Sequence, residues 1–244
     1  MTEAAPRLPA LAVLAGGKAT RLGALAVDTP KSLQPIGDRP FLAWQLELAY
    51  AQGVRDVVLC VGHLGAAIAR VLPEITPPGM RVRCSSDGER ALGTGGALLR
   101  ALPLLSDPFL VLYGDSYLRG DYGRVYATFE RLREAQAPGP VAMMTVFHNA
   151  DRFEPSNIEY ADGRILQYEK GARDPRLQHI DWGLGVLTHA ALQGFGEAFD
   201  LAQVYRQLLA AGRLLGCEVP ERFYEIGSPA ALDELRGFLL RDAR

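Results

Sequence analysis

Residues 12–23 read AVLAGGKATRLG, an apolar run that passes through two glycines into a loop carrying Lys18, Thr20 and Arg21. The apolar residues predict a buried strand, and the glycines allow backbone N–H groups to approach phosphate oxygens. An arginine in the same loop can add bidentate contacts to a phosphate. The proline-bounded Thr-Pro-Lys at residues 29–31 adds a second cation. The stretch indicates a polyphosphate-binding loop, and the alternative is a tight turn between a strand and a helix.

The spacing of these glycines excludes two familiar nucleotide-binding loops. The stretch does not fit GxxxxGK[ST], and it lacks the third glycine of GxGxxG, so neither a Walker-A nucleotidase nor a dinucleotide oxidoreductase fits. The four histidines are not spaced as zinc ligands, and the sequence has no GxSxG motif for a nucleophilic serine. A direct displacement reaction needs no covalent nucleophile, so the absence of these motifs is consistent with it.

The first half of the chain alternates apolar runs with amphipathic stretches. Strands are predicted at residues 10–15, 56–62, 81–85 and 109–115, and helices at residues 41–51, 65–72 and 95–105. Because the predicted strands are apolar throughout, they indicate a parallel sheet that is covered on both faces.

The second half of the chain has strands with little helix between them. Strands are predicted at residues 141–147, 157–170 and 183–188, with a hairpin turn at 161–163, and helices near residues 200–212 and 229–240. We therefore predict an α/β fold, a Rossmann-like and mostly parallel sheet flanked by helices, with a mixed or antiparallel extension. Residues 1–244 should form a single domain, with one half at about 8–140 and the other at about 141–244.

Composition limits the class of partner. Apolar residues make up 48% of the chain, and 26 basic against 28 acidic residues give a formal net charge of −2. No overall positive field exists to hold nucleic acid or an anionic membrane, so we expect neither as a partner. The sequence shows no apolar leader and no membrane-length apolar run, which predicts a cytoplasmic location. Three cysteines, in apolar runs, are expected to be buried free thiols.

Six motifs occur in one order along the chain. They are AGGKATRL (15–22), TPKSLQPIGDRPFL (29–42), ALGTGGAL (91–98), Gly114-Asp115, Glu169-Lys170 and FYEIGSP (223–229). In this order the sequence resembles the sugar-phosphate nucleotidyltransferases over nearly its full length. The resemblance implies an enzyme that uses Mg²⁺ to join a nucleoside triphosphate (NTP) to a sugar 1-phosphate, with release of pyrophosphate. The first half would then bind the nucleotide and the second half the sugar.

The resemblance also assigns the nucleotide-binding residues, which are Ala15, Gly16, Gly17, Lys18, Thr20, Arg21, Leu92, Gly93 and Thr94. Arg21 would hold the β- and γ-phosphates, and Lys31 would lie between the triphosphate and the incoming phosphate. The glycines of the run at 92–96 are expected to let the backbone approach the base and ribose. For Asp87 and Glu89, just upstream, a solvated loop is preferred over a contact with guanine N1 and N2.

Two carboxylates are the predicted metal ligands. Asp115 ends an apolar strand, so its side chain should emerge at the carboxyl edge of the sheet, where a hard cation can take oxygen ligands. Glu225 stands where the family has an aspartate, and its longer side chain permits direct or water-mediated coordination. Arg21, Lys31 and Asp115 are the predicted catalytic residues.

The resemblance assigns the sugar site to the second half of the chain. Lys170 would bind the phosphate of the sugar 1-phosphate, and Glu169, Asn157 and Asp181 would line the sugar pocket. Asp181 replaces the asparagine that is more usual in the family, so the hydroxyl contacts there are expected to differ.

The sequence leaves several alternatives for the substrate. We expect GTP with a manno-configured sugar 1-phosphate, D-glycero-D-manno-heptose ahead of mannose. A uridylyl- or thymidylyltransferase acting on a hexose 1-phosphate is the main alternative. Others are a cytidylyltransferase for a non-sugar alcohol phosphate, a molybdopterin-type transferase, and a non-catalytic nucleotide-sugar-binding protein. The chain is expected to be a monomer or a homodimer.

Overall fold

The chain folds around one central sheet, seen in a computed structural model that describes residues 8–17, 29–62, 64–136, 139–169, 171 and 173–242. The strands are β1 (Leu11–Leu14), β2 (Pro35–Ile36), β3 (Arg39–Pro40), β4 (Asp56–Val61), β5 (Arg81–Ser86), β6 (Phe109–Tyr113), β7 (Ser116–Leu118), β8 (Ala142–His148), β9 (Ile158–Ala161), β10 (Arg164–Tyr168), β11 (His179–Leu187), β12 (Leu214–Glu218) and β13 (Phe223–Glu225). The α-helices are α1 (Phe41–Ala51), α2 (Gly65–Ile75), α3 (Gly93–Ala101), α4 (Tyr122–Glu134), α5 (Leu201–Ala210) and α6 (Pro229–Asp242).

The central sheet joins a parallel half to a mixed half, as the sequence predicts. Within the described ranges it has nine strands, and its main path runs β10-β9-β11-β6-β1-β4-β5. Strands β6, β1, β4 and β5 are parallel to one another. Strand β11 is antiparallel to β6 and to β8, β12 is parallel to β8, and β9 and β10 form the predicted hairpin.

Both faces of the parallel half are buried, because successive side chains of a strand point to opposite faces. In β1, Leu11 and Val13 pack with Leu110 of β6 in one core cluster, while Ala12 and Val111 belong to a second cluster. Helices α1, α2 and α4 contribute to the first cluster, and α3 and α5 contribute to the second. This two-sided burial explains why these strands are continuous apolar runs in the sequence.

A third apolar cluster holds the small strand β13 beside the carboxyl end of β6. It joins Ile36, Phe41, Tyr117, Ile226, Leu232, Leu235 and Leu239. These residues come from β2, α1, β7, the chain after β13, and α6. Strand β13 also pairs with β7, so the FYEIGSP motif is held both by this strand pairing and by the apolar cluster.

The structure corrects three expectations from the sequence. Helix α4 was not predicted, although Asp121 caps it and its buried residues Tyr122, Val125 and Phe129 are spaced for one helical face. Strand β11 begins at residue 179 rather than 183. Among the cysteines only Cys60 is buried, whereas the other two are partly exposed, and all three are free thiols. None of the helices in the described part of the chain combines the length and apolar character that a membrane crossing needs.

Candidate active site

The glycine loop lies where three strand ends meet. The Ala15 N–H donates to the carbonyl of Cys60 at 2.8 Å, and the Gly114 N–H donates to the carbonyl of Leu14 at 3.1 Å. A Cβ on Gly114 would come within 2.5 Å of that same Leu14 oxygen, so only glycine fits there. This close approach brings the Gly114-Asp115 turn against the glycine loop at the carboxyl edge of the sheet.

Above this edge lies a cavity of about 370 Å³, which we call the glycine-loop cavity. It is lined by Leu14, Ala15, Gly16, Gly17, Lys31, Ser32, Cys60, Asp87, Ala91, Gly93, Thr94, Ala97, Tyr113, Gly114, Asp115 and Asp200. Seven of these residues were predicted as nucleotide-binding or catalytic residues from the sequence. Burial raises the pKa of the Cys60 thiol to about 12, so this cysteine is a neutral part of the wall.

A second cavity of about 320 Å³, the Asp181 cavity, adjoins the first. It is lined by Tyr113, Asp115, Ser116, Glu154, Pro155, Asn157, Ile180, Asp181, Trp182, Gly183, Phe223 and Glu225. Tyr113 and Asp115 line both cavities. The two spaces therefore meet at the carboxyl end of β6.

Asp115 forms an ion pair at this junction. The Lys31 ammonium donates to Asp115 Oδ2 at 2.6 Å, and the side chains are 16% and 31% exposed, respectively. Lys31 starts a short 3-10 helix after Pro30, which directs the lysine toward the turn after β6. One of the predicted cations and one of the predicted carboxylates are thus in direct contact.

Strand β13 brings the second predicted carboxylate to the same junction. Glu225 is the register partner of Ser116, and the Ile226 N–H donates to the carbonyl of Asp115 at 2.9 Å. Asp115 and Glu225 both line the Asp181 cavity. The described residues contain no group of three or more carboxylate, histidine or cysteine side chains placed to hold a metal ion.

Asp181 is oriented by the half-buried phenol of Tyr113. The Tyr113 hydroxyl donates to Asp181 Oδ2 at 2.9 Å, and the Gly183 N–H donates to Asp181 Oδ1 at 3.0 Å. Burial, followed by the negative charge of Asp181, raises the pKa of Tyr113 well above its usual value. Tyr113 is therefore a permanent hydrogen-bond donor that fixes the aspartate. Asn157 Oδ1 accepts from the Asp181 N–H at 3.4 Å, so the two predicted sugar-site residues are neighbours.

Asp87 lies in the wall of the glycine-loop cavity, not in the solvated loop that the sequence favoured. It is 9% exposed, whereas Glu89 is exposed and does not line the cavity. The Leu92 N–H donates to Asp87 Oδ2 at 3.3 Å. Burial is the main cause that raises the pKa of Asp87, and the Leu92 hydrogen bond and the charge of Arg100 oppose it.

Two glycines of the run at 92–96, Gly95 and Gly96, pack against the segment before α5, whereas Gly93 lines the glycine-loop cavity. A Cβ on Gly95 would lie 2.3 Å from the Phe199 ring, and one on Gly96 would lie 2.3 Å from the Glu197 carbonyl oxygen. The N–H groups of both glycines donate to the carbonyl of Phe199. Gly95 and Gly96 therefore allow the segment before α5 to pack closely on α3.

Comparison with known proteins agrees with this architecture. A family model described as the MobA-like NTP transferase domain matches residues 11–179. The D-glycero-alpha-D-manno-heptose 1-phosphate guanylyltransferase of Campylobacter jejuni is 28% identical over 219 residues, which are 89% of this chain and 94% of that protein. The glucose-1-phosphate thymidylyltransferase of Streptomyces antibioticus is 29% identical over 94% of this chain and 66% of its own length.

The chain belongs to the MobA-like NTP transferase domain family. It is an enzyme of the sugar 1-phosphate nucleotidyltransferase class, as the order of its motifs predicted. Among solved structures, HddC from Yersinia pseudotuberculosis complexed with GMP-PN shares the fold, with a TM-score of 0.77 at 20% identity. The match covers 95% of this chain and 100% of HddC.

The structure brings together only part of the predicted site of the enzyme. Lys18, Thr20, Arg21 and Lys170 lie outside the described residues. Glu169 is exposed and lines neither cavity, and Leu92 is also absent from both walls.

Several residues that line the two cavities of the enzyme were missed or misjudged from the sequence. They are Asp87, Tyr113, Glu154 and Asp200. Asp200 reaches the glycine-loop cavity because the chain before α5 packs on α3, and this contact leaves no sequence signal. Tyr113 could have been found, because it ends the same apolar strand whose next polar residue is Asp115.

Proposed function

We propose that the enzyme transfers the guanylyl group of GTP to a manno-configured sugar 1-phosphate, with D-glycero-D-manno-heptose 1-phosphate preferred over mannose 1-phosphate. The products are the GDP-sugar and pyrophosphate. The observation that carries the proposal is the pair of adjoining cavities that share Tyr113 and Asp115. A triphosphate in one cavity and a sugar phosphate in the other would meet at that shared wall.

The division of the two substrates follows from the chemistry of the walls. The glycine-loop cavity has the backbone of Ala15, Gly16 and Gly17 at its edge, which suits phosphate oxygens. The Asp181 cavity presents carboxylate and amide groups, which suit sugar hydroxyls. We therefore assign the nucleotide to the first cavity and the sugar 1-phosphate to the second.

The junction of the cavities fits a magnesium ion. Mg²⁺ usually takes one or two carboxylates and completes its octahedron with phosphate oxygens and water, so a cluster of three protein ligands is not required. We assign Asp115 and Glu225 as the carboxylates that would hold it. When bound, the ion would neutralise the charge that develops on the transferring phosphoryl group.

The residues of the chain would act mainly by positioning and by neutralising charge. Lys31, which contacts Asp115 at the junction, would bind the phosphate groups of both substrates. Tyr113 keeps Asp181 in a fixed orientation, so that its carboxylate is preorganised as an acceptor for sugar hydroxyls. A phosphate oxygen of the sugar 1-phosphate would then attack the α-phosphorus, and pyrophosphate would leave. Arg21 and Lys170 keep the roles that the family resemblance gives them.

The choice of guanine is supported by Asp87. Within the described part of the chain, only the Leu92 N–H donates to this carboxylate, so it can accept further hydrogen bonds. Guanine presents two adjacent donors, N1–H and N2–H₂, and a carboxylate can accept from both. Uracil and thymine instead present a single N–H between two carbonyl oxygens, which a carboxylate would repel. The Campylobacter relative is named as a guanylyltransferase.

Replacement of Asp87 by asparagine should change the base preference. We expect Asp87→Asn to lower kcat/KM for GTP by about 10- to 100-fold, the effect of losing a charged hydrogen bond. The ratio of UTP or dTTP turnover to GTP turnover should rise, because an amide offers both a donor and an acceptor. Glu89→Gln is the matched control and should behave as the parent enzyme. An unchanged nucleotide ranking in Asp87→Asn would contradict the assignment.

A matrix of nucleoside triphosphates against sugar 1-phosphates, read by pyrophosphate release, tests the whole proposal. We expect GTP with the heptose 1-phosphate to give the highest kcat/KM, followed by GTP with mannose 1-phosphate. A preference of tenfold or more for UTP or dTTP over GTP would overturn the choice of base but not the reaction class. Absence of pyrophosphate release with every pair would favour a non-catalytic nucleotide-sugar-binding protein.

A further inference from the structure

Two segments that are distant in sequence form walls of the Asp181 cavity. Glu154 and Pro155 come from the loop at residues 149–156, and Phe223 and Glu225 come from β13. The separation of these walls sets the width of the cavity. A contact that fixes one wall relative to the other would therefore act on the ligand in this cavity and leave the glycine-loop cavity unchanged.

Arg222 makes such a contact from outside the cavity. Its guanidinium carbon lies 3.8 Å from the centroid of the Phe153 ring and 4.4 Å from the centroid of the Tyr224 ring. A guanidinium is planar and can stack on aromatic rings, so one arginine can hold two rings at once. Each ring directly precedes a residue of the cavity wall, since Phe153 is followed by Glu154 and Tyr224 by Glu225.

The loop at 149–156 is ordered within itself and meets β13 through Phe153. Asn149 Nδ2 donates to the Glu154 carbonyl at 2.6 Å, and the Ser156 N–H donates to Asp151 Oδ1 at 2.7 Å. The Phe153 ring is 37% exposed and lies 5.9 Å, edge to face, from the ring of Phe223 in β13. Because the loop is held internally, a displacement of Phe153 would move Glu154 with it.

The arginine is itself fixed by other contacts. Its Nη2 donates to Glu234 Oε2 of α6 at 2.8 Å, and its Nε donates to the carbonyl of Phe223 at 3.3 Å. The Arg222 side chain is 29% exposed and Glu234 is 51% exposed, so the ion pair is partly screened by solvent. The stack on the two rings therefore joins the two walls, together with the contact between the Phe153 and Phe223 rings.

We propose that Arg222 is a positioning residue for the sugar 1-phosphate, which acts by holding the Glu154 wall and the Glu225 wall at a fixed separation. The inference rests on the proposed use of the Asp181 cavity for the sugar. Because β13 is paired with β7 and bonded to Asp115, loss of Arg222 would release the Glu154 wall and leave Glu225 in place. Sugar 1-phosphate binding should then weaken while NTP binding stays intact.

Steady-state kinetics and a binding titration together test this role. We expect Arg222→Ala to raise KM for mannose 1-phosphate about five- to tenfold, with KM for NTP and kcat within about twofold of the parent. Arg222→Lys should recover part of this loss, because an ammonium can lie over one ring but cannot stack between two. Glu234→Gln is the control that removes the ion pair and keeps the stack, and its KM values should match those of the parent.

Trp182 lines the Asp181 cavity, so quenching of tryptophan fluorescence can report sugar 1-phosphate binding without turnover. If the parent enzyme and Arg222→Ala bind mannose 1-phosphate equally well, the inference is overturned and the proposed function is not. If the parent enzyme binds no sugar 1-phosphate, both the proposed function and the inference that rests on it are overturned. Should Arg222→Ala fail to fold, Phe153→Leu removes the same stack, and an unchanged sugar KM in that variant would overturn the role of Arg222.

Discussion

Lys31 and Asp115 form a pair whose members have opposite tasks. The ammonium is our proposed phosphate ligand and the carboxylate our proposed ligand for Mg²⁺, yet the two groups contact each other at 2.6 Å. Without substrate each charge therefore compensates the other. This limits the cost of holding either charge in a partly buried place, because an uncompensated charge there would be unfavourable.

Removal of the carboxylate should separate its role in the reaction from its role in the fold. We expect Asp115→Asn to lower kcat/KM by about 100-fold or more and to abolish Mn²⁺ binding measured by calorimetry. The amide keeps the side-chain volume but leaves the Lys31 ammonium without its counter-charge, so the midpoint of urea unfolding should fall modestly while the cooperative transition is retained. Asp38→Asn, at an exposed carboxylate that lines neither cavity, is the control. Near-normal turnover in Asp115→Asn would exclude the carboxylate as a metal ligand.

The start of α3 is capped by a segment that is distant in the sequence. The N–H groups of Gly95 and Gly96 donate to the Phe199 carbonyl, and the Thr94 N–H donates to Asp200 Oδ1 at 3.4 Å. The segment before α5 thus binds three N–H groups at the start of α3, while Gly93, the first residue of the helix, lines the glycine-loop cavity. We therefore expect phosphate binding to rely mainly on the glycine loop and the cations.

A side chain at this contact should destabilise the protein. Gly96→Ala places a Cβ 2.3 Å from a backbone carbonyl, which cannot move as a side chain could. Overpacking of this kind costs about 1–3 kcal/mol, and the better helix propensity of alanine offsets at most about 1 kcal/mol. We expect a lower free energy of unfolding in urea. Gly196→Ala, where no atom lies within 4 Å of the added Cβ, should be neutral, and equal effects of both changes would disprove the packing argument.

The strands of the extension converge on His179, which couples stability to pH. The His148 and Tyr160 rings lie 5.1 and 5.3 Å from its ring, and Glu218 is 3.4 Å from its Nε2. Burial lowers the pKa of His179, the charge of Glu218 opposes this, and His148 reinforces it.

Below the unfolded-state pKa of about 6.5, the unfolded chain therefore binds more protons at this position than the folded chain does. The free energy of unfolding should accordingly fall as the pH drops from about 6.5 toward 5, and it should be insensitive to this group above that range. Urea unfolding at a series of pH values measures the slope. His179→Gln should flatten it, and an equal slope in the variant would assign the effect to other groups.

The sequence predicted the parallel half of the fold well, because strands buried on both faces are continuous apolar runs. It predicted less where short strands depend on contacts with distant residues. Strands β7 and β13 have three residues each and owe their position to the cluster around Ile226. The same limit applies to the site. Asp115 was found because it ends a long apolar strand, whereas Asp87 was misjudged because its burial depends on the fold around it.

The shared wall of the two cavities also bears on what leaves the enzyme. An NDP-sugar formed at Asp115 would have its nucleoside in one cavity and its sugar in the other, joined by a pyrophosphate bridge. Each half then holds the other at a high effective concentration, as in any bivalent ligand. Such a product would compete with both substrates and dissociate more slowly than either of them. The rate of NDP-sugar synthesis would then depend on how fast the NDP-sugar is removed.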